Sequence, residues 1–193
     1  MTSEEVADLY SGLLARGVQI WVDGGWGIDA LLERQTRPHK DLDAIVAFES
    51  LRVLTQFLSR RGFALEVIQP ENRWAPCPEP LALIGREGPA VEVATAFVLK
   101  DDWERELDFH VVRFDERGNG LPAWTSDFVF PSEAFAGLGI VDSTSVRCLS
   151  AETQMLTHTG YALQEGDVRD LRLLHDHLGI DYPDEVADQL SAR

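Results

Sequence analysis

Cysteine is scarce in this chain of 193 residues: Cys77 and Cys148 stand far apart, with no metal-ligand spacing. Neither a structural zinc site nor a disulfide framework organises such a sequence, and both thiols are expected to be buried. Long hydrophobic runs are missing too, and none nears the ~20 residues that a membrane span needs. The start, Met1-Thr2-Ser3-Glu4-Glu5, lacks the basic-then-apolar order of a signal peptide. The expected location is therefore the cytoplasm. Positive charge is short: 17 Lys and Arg face 33 Asp and Glu, a formal net charge of -16. Nucleic acid and anionic membrane are not expected as partners, because binding either starts from a basic patch. An acidic body attracts metal ions and small basic molecules, although acidity also serves solubility alone. The remaining composition, 45% apolar and 26% charged, is that of a globular chain rather than a disordered one.

Along the chain, hydrophobic spacing alternates between helix and strand periods. Thr2 and Glu5 form a capping-box pattern ahead of a helix over 2–16, with Val6, Leu9, Tyr10, Leu13 and Leu14 on one face. A short strand over 19–22 leads into a turn at Asp23-Gly24-Gly25, then a second helix with Ile28, Leu31 and Leu32 inward. A strand over 42–48, a helix ended by Gly62 and a strand over 63–68 follow. Five prolines within 70–90 exclude a long helix there, and a short strand is read at 81–84. Strands at 91–99 and 106–114, a turn at Gly118-Asn119-Gly120, an irregular stretch over 121–137 and a hairpin over 139–149 complete the sheet pattern. Two helices, over 150–161 and from about 167, close the chain. The order is mixed α and β.

One segment carries chemistry. Gly24-Gly25 lies between a strand and the first turn of a helix, where free N–H groups and the helix dipole favour an anion. Asp41 and Asp43 are two apart at the start of a strand, so both carboxylates point to one side. Paired carboxylates are hard oxygen ligands suited to Mg²⁺ bridging to phosphates. Each feature alone is common as a plain turn or a solvated strand face; together they belong to one chemistry. A third carboxylate fits at Asp108, since Leu107, Phe109 and Val111 would face the core and Glu106, Asp108 and His110 the other side. Glu92 is the reserve candidate.

These residues carry a resemblance. The run Trp21-x-Asp23-Gly24-Gly25-Trp26-Gly27, the spacing to His39-Lys40-Asp41-Leu42-Asp43, and Leu107-Asp108-Phe109-His110 resemble the nucleotidyltransferases that modify antibiotics. The likeness is nearest to the lincosamide nucleotidyltransferases and extends to the aminoglycoside 2''-nucleotidyltransferases. Val146-Arg147-Cys148-Leu149-Ser150 and His158-Thr159-Gly160-Tyr161 resemble their C-terminal half. The proline-rich stretch near 75–95 departs from the compact lincosamide enzymes in being longer.

The resemblance implies an α+β fold of the polymerase-beta-like nucleotidyltransferase type: a mixed twisted sheet flanked by helices over 1–149, with a helical segment over 150–193 packed on it. It implies transfer of AMP from ATP to an antibiotic hydroxyl, with pyrophosphate leaving, and hence resistance. The acceptor would be a lincosamide, with an aminoglycoside, a metabolite or a protein as alternatives. Asp41, Asp43 and Asp108 would hold Mg²⁺, with Asp108 also the general base. Gly24 and Gly25 amides would hold phosphates, joined by Arg37, His39 and Lys40 unless these form a solvated basic loop. His110 is a candidate to orient Asp108 or meet the acceptor, or else is structural. Trp74, with Trp103 and Trp124, is a candidate to stack on adenine or line the acceptor pocket. His158 reads as a packing residue, and Asp167 and Asp170 as solvated. A homodimer that completes a pocket open on one side is compatible with the sequence.

Overall fold

The structure is a computed structural model that describes residues 1–68, 74–77, 97–122 and 128–192. The strand expected at 81–84, Glu92 and Trp124 lie outside the described residues, as does the side chain of Trp74.

Helix α1 (Ser3–Leu14) begins with the expected capping box: Glu5 N–H donates to Thr2 Oγ1 at 3.2 Å and Thr2 N–H to Glu5 Oε2 at 2.8 Å. Strand β1 (Ile20–Asp23) runs straight into helix α2 (Gly24–Leu31) without the separate turn that Gly24-Gly25 leads one to expect. Asp23 caps α2 itself, accepting from Gly24 N–H at 2.7 Å, so the helix starts at the first glycine. Then come β2 (Asp41–Ala47), a 3₁₀ turn (Phe48–Ser50), α3 (Leu51–Ser59), β3 (Ala64–Ile68) and β4 (Trp74–Pro76). After β5 (Phe97–Lys100), β6 (Glu106–Phe114) and β7 (Gly120–Pro122), a second 3₁₀ turn (Ser132–Phe135) leads into the hairpin β8 (Gly137–Val141) and β9 (Thr144–Cys148). Helices α4 (Ala151–Leu156), α5 (Glu165–Leu178) and α6 (Asp184–Ser191) follow.

Three closing helices therefore replace the two expected. Helix α4 also stops short of Tyr161, because side chains compete for its last carbonyls: Thr157 Oγ1 donates to Gln154 O at 3.0 Å and Thr159 Oγ1 to Leu156 O at 2.8 Å.

The strands lie in the order β4-β3-β5-β6-β2-β1-β9-β8, with β7 alongside β6. Pairing is mixed: β1–β2 is antiparallel, whereas β2–β6 and β1–β9 are parallel. The pleat separates two faces. Val22, Leu42, Ala44, Val46, Leu107, Phe109 and Val111 are buried on one, against Val6, Leu9 and Leu13 of α1 and Leu54, Phe57 and Leu58 of α3. On the opposite face Trp21, Ile45 and Val112 pack with Phe130 and Phe135 at one end. At its other end the same alternation brings up Asp23, Asp41, Asp43 and Asp108. A separate cluster joins Ile28 of α2 to Met155, Leu163, Val168, Leu171, Leu174 and Val186. Through it the closing helices reach the start of the site. Cys148 is buried, whereas Cys77 is only half-buried, contrary to expectation.

Candidate active site

The central three strands set the register of the carboxylates. Asp23 on β1 stands opposite Asp43 on β2, and Asp43 opposite Asp108 on β6. Direct partners on adjacent strands share a face, so Asp23, Asp43 and Asp108 form a row, with Asp41 two residues along β2. Asp41, Asp43, Asp23 and His110 line one side of a cleft of about 900 Å³, together with Gly24, Gly25, Arg37 and Lys40. Leu156, His158, Tyr161, Gln164, Asp167 and Asp170, from α4, α5 and their connection, form the far wall, and Phe128 and Phe130 also line the cleft.

Crowded carboxylates repel one another's charge. Burial, and then the neighbouring charges of Asp41, Asp23, Asp108 and Glu106, push Asp43 up to about 8. Burial raises Asp108 as well, opposed by His110 and reinforced by Glu106, Asp41 and Asp23. Asp23 is raised by burial, offset by His110, the Gly24 N–H and His158. Asp108 Oδ1 is buried and has no hydrogen-bond partner among the described residues. An orphaned buried oxygen inside an anionic row is what a cation would relieve. Among the described residues, no three His, Cys, Asp or Glu side chains already converge on a single metal position.

The glycines serve different ends. Gly24 has φ +57°, and a Cβ there would lie 2.7 Å from Asp43 Oδ2. Only glycine tolerates both the left-handed backbone and this approach. Its N–H is already used by Asp23, so the expected phosphate contact from the Gly24 amide is not available in this arrangement. A Cβ on Gly25 would collide with the His39 imidazole and lie 2.9 Å from Arg37 Nη2.

His39, expected at the phosphates, is buried behind this turn. Its Nε2 meets Asp29 Oδ2 at 2.5 Å, and its ring centroid is 4.6 Å from that of Trp26. Asp29 Oδ1 accepts from Thr36 N–H at 3.0 Å and Thr36 Oγ1 at 2.6 Å. The Thr36–His39 segment is thus buckled onto α2. Arg37 reaches the cleft but is paired with Asp170, with Nη2 to Oδ2 at 2.5 Å. Asp170 is 1% exposed, not solvated as its helix position implies. Lys40 lines the cleft. His158 packs as expected, its Nδ1 2.7 Å from Gln154 O, yet it also lines the cleft, with Nε2 3.9 Å from Asp167 Oδ1. Trp103 is 74% exposed and away from the cleft lining. The sequence reading missed Asp23, Phe128, Tyr161 and the cleft-lining positions of His158 and α5. For Asp23 a signal existed: it directly follows the strand over 19–22, two residues after Trp21, and so continues the face of Trp21.

Comparison with known proteins converges on one chemistry. The family profile described as aminoglycoside-2''-adenylyltransferase matches residues 5–75 and 81–174. The lincosamide resistance protein of Staphylococcus haemolyticus is 28% identical over 159 residues, covering 81% of this chain and 84% of that protein. The lincomycin-bound crystal structure of the lincosamide antibiotic adenylyltransferase LnuA superposes with a TM-score of 0.68 at 26% identity, covering 90% of this chain and 96% of that one. The structure of ANT(2'')-Ia in complex with adenylyl-2''-tobramycin, at 19% identity and TM-score 0.62 over 98% of this chain and 95% of that one, shows the shared fold. With its α+β nucleotidyltransferase fold and its carboxylate row beside the double glycine, the chain is a nucleotidyltransferase and belongs to the aminoglycoside-2''-adenylyltransferase family.

Proposed function

We propose that this enzyme transfers AMP from ATP to a hydroxyl of a lincosamide antibiotic, releasing pyrophosphate and conferring resistance. The observation that carries the reading is the in-register row of Asp43 and Asp108 next to the Gly24–Gly25 start of α2. The choice of lincosamide rests on the two relatives that bear that name at 28% and 26% identity.

Mg²⁺ fits the donor set: hard carboxylate oxygens, one of them buried without a partner. Asp41, Asp43 and Asp108 would hold it, and it would neutralise the charge of the triphosphate and of the leaving pyrophosphate. The protein supplies the rest. The backbone at Gly25, with Arg37 and Lys40, takes the phosphates, while Gly24 contributes by leaving room for Asp43. The acceptor enters against the far wall. Asp108 takes the proton from its hydroxyl oxygen, which attacks the α-phosphorus in line as the bond to the β-phosphate oxygen breaks. Burial lifts Asp108 above the ordinary carboxylate range, which makes it a better base near neutral pH.

The test is mass spectrometry of lincosamides and aminoglycosides incubated with the protein, ATP and Mg²⁺. A lincosamide product heavier by one AMP, lost with EDTA or in Asp43→Ala, is expected. AMP on aminoglycosides alone would replace the acceptor, and no adduct on any drug would defeat the resistance reading.

A further inference from the structure

We propose that Asp170, on the closing helix α5, is a positioning residue that holds the Arg37 guanidinium beside Gly25 for the nucleotide's outer phosphates. Helix α5 then takes part in triphosphate binding as well as forming part of the far wall of the cleft. The inference rests on the nucleotidyltransferase reading above.

The pairing is two-pointed. Arg37 Nε donates to Asp170 Oδ1 at 3.1 Å and Nη2 to Oδ2 at 2.5 Å. This occupies one edge of the guanidinium and fixes its plane. The remaining nitrogen, Nη1, makes a 3.4 Å contact to Pro38 O, long for a hydrogen bond. Its donors are therefore held in a set direction yet only weakly engaged. Exposure is asymmetric: the Asp170 side chain is 2% exposed and that of Arg37 27%. The carboxylate is withdrawn while the cation keeps contact with the cleft.

The surroundings place this cation at the double glycine. A Cβ on Gly25 would lie 2.9 Å from Arg37 Nη2, and one on Gly166, in the first turn of α5, 3.8 Å from the same atom. The guanidinium sits between two glycines, one at the start of α2 and one in the first turn of α5. Its backbone is fixed from both directions. Arg169 Nη2 donates to Thr36 O at 2.5 Å, and Thr36 and His39 are both held by Asp29 of α2. A purely structural ion pair has no need of this location, since an apolar contact would serve the fold as well.

The test uses the full chain with Mg²⁺ and compares ATP with AMP by calorimetric titration. For Asp170→Asn, ATP affinity is expected to fall about tenfold while AMP affinity changes far less, because only ATP carries the outer phosphates. The ATP-to-AMP ratio is internal to one protein, so partial unfolding of the variant does not affect it. The charge-swapped double variant, Arg37→Asp with Asp170→Arg, is expected to recover the melting temperature lost by either single change but not the ATP preference. Equal loss for both nucleotides, or a swap that restores ATP preference, reduces the pair to fold support and overturns the proposal. Tighter ATP binding by Asp170→Asn also overturns it, by making Asp170 a competitor of the phosphates. An unchanged ratio in a variant whose parent still transfers AMP defeats this inference alone. A parent that neither prefers ATP nor transfers AMP defeats the nucleotidyltransferase reading beneath it.

Discussion

Asp43 shows at the scale of one residue how the site trades stability for function. Its carboxyl stands at about 8 instead of its ordinary 3.8, chiefly through burial and then through Asp41, Asp23, Asp108 and Glu106. A group raised on folding favours the folded state while it keeps its proton. That contribution is complete below about pH 4 and is lost as pH rises through about 8. In EDTA, the metal-free protein should therefore lose stability across this window, and Asp43→Asn should exceed the parent at pH 8 by about 1 kcal/mol or more. Under the proposed function, Mg²⁺ would bind the ionised carboxylate in competition with the proton. The Mg²⁺-induced rise in melting temperature should then be larger at pH 8 than at pH 6, and nearly absent in Asp43→Asn. Melting curves at both pH values, with Mg²⁺ and with EDTA, decide it; a gain from Mg²⁺ that does not depend on pH would remove Asp43 from the ion's ligands.

At the scale of elements, the carboxylate row was legible because a strand's period of two needs no distant information. Asp41 and Asp43 share a face wherever β2 lies, and the Leu107–Val111 alternation puts Asp108 on the polar side of β6. Only the adjacency of β2 and β6 had to be supplied, and the parallel pairing of Asp43 with Asp108 supplies it. The basic segment over 37–40 was not legible. Nothing local separates Arg37 and Lys40, which reach the cleft, from His39, whose partner Asp29 lies in the preceding helix. The Arg37–Asp170 pair spans 133 positions, so no spacing argument reaches it. The far wall likewise depends on how α4 and α5 pack on α2, which a helical repeat does not state. The start of α2 carries its own prediction. Gly25→Ala inserts a methyl against the His39 ring and Arg37, and should cost about 1–3 kcal/mol through overpacking. ATP affinity should fall more than acceptor affinity, because the methyl stands where the proposed function puts the phosphates. Denaturation midpoints and separate titrations with ATP and lincosamide check this; an equal loss for both ligands would place the damage in the fold at large.

For the whole molecule, the decisive quantity is the net charge of -16. The two proposed substrates carry charge of opposite sign: an antibiotic with an amine is drawn toward such a body, while a nucleotide triphosphate is repelled up to Arg37 and Lys40, the cations that the proposed function assigns to it. Long-range fields of this kind act mainly on encounter and are screened over about 8 Å at physiological ionic strength. Raising salt should therefore lower kcat/KM for a cationic acceptor and leave kcat for bound substrates nearly unchanged. The same salt should leave kcat/KM for ATP steady or raise it, since screening removes a repulsion. Within the acceptors, a polycationic aminoglycoside should lose more than a singly charged lincosamide, because its attraction scales with its charge. Steady-state kinetics at low and high KCl, with Mg²⁺ activity held constant, provide the comparison. Salt slopes of the same sign and size for acceptor and ATP would mean that the acidic surface serves solubility and takes no part in selecting the substrate.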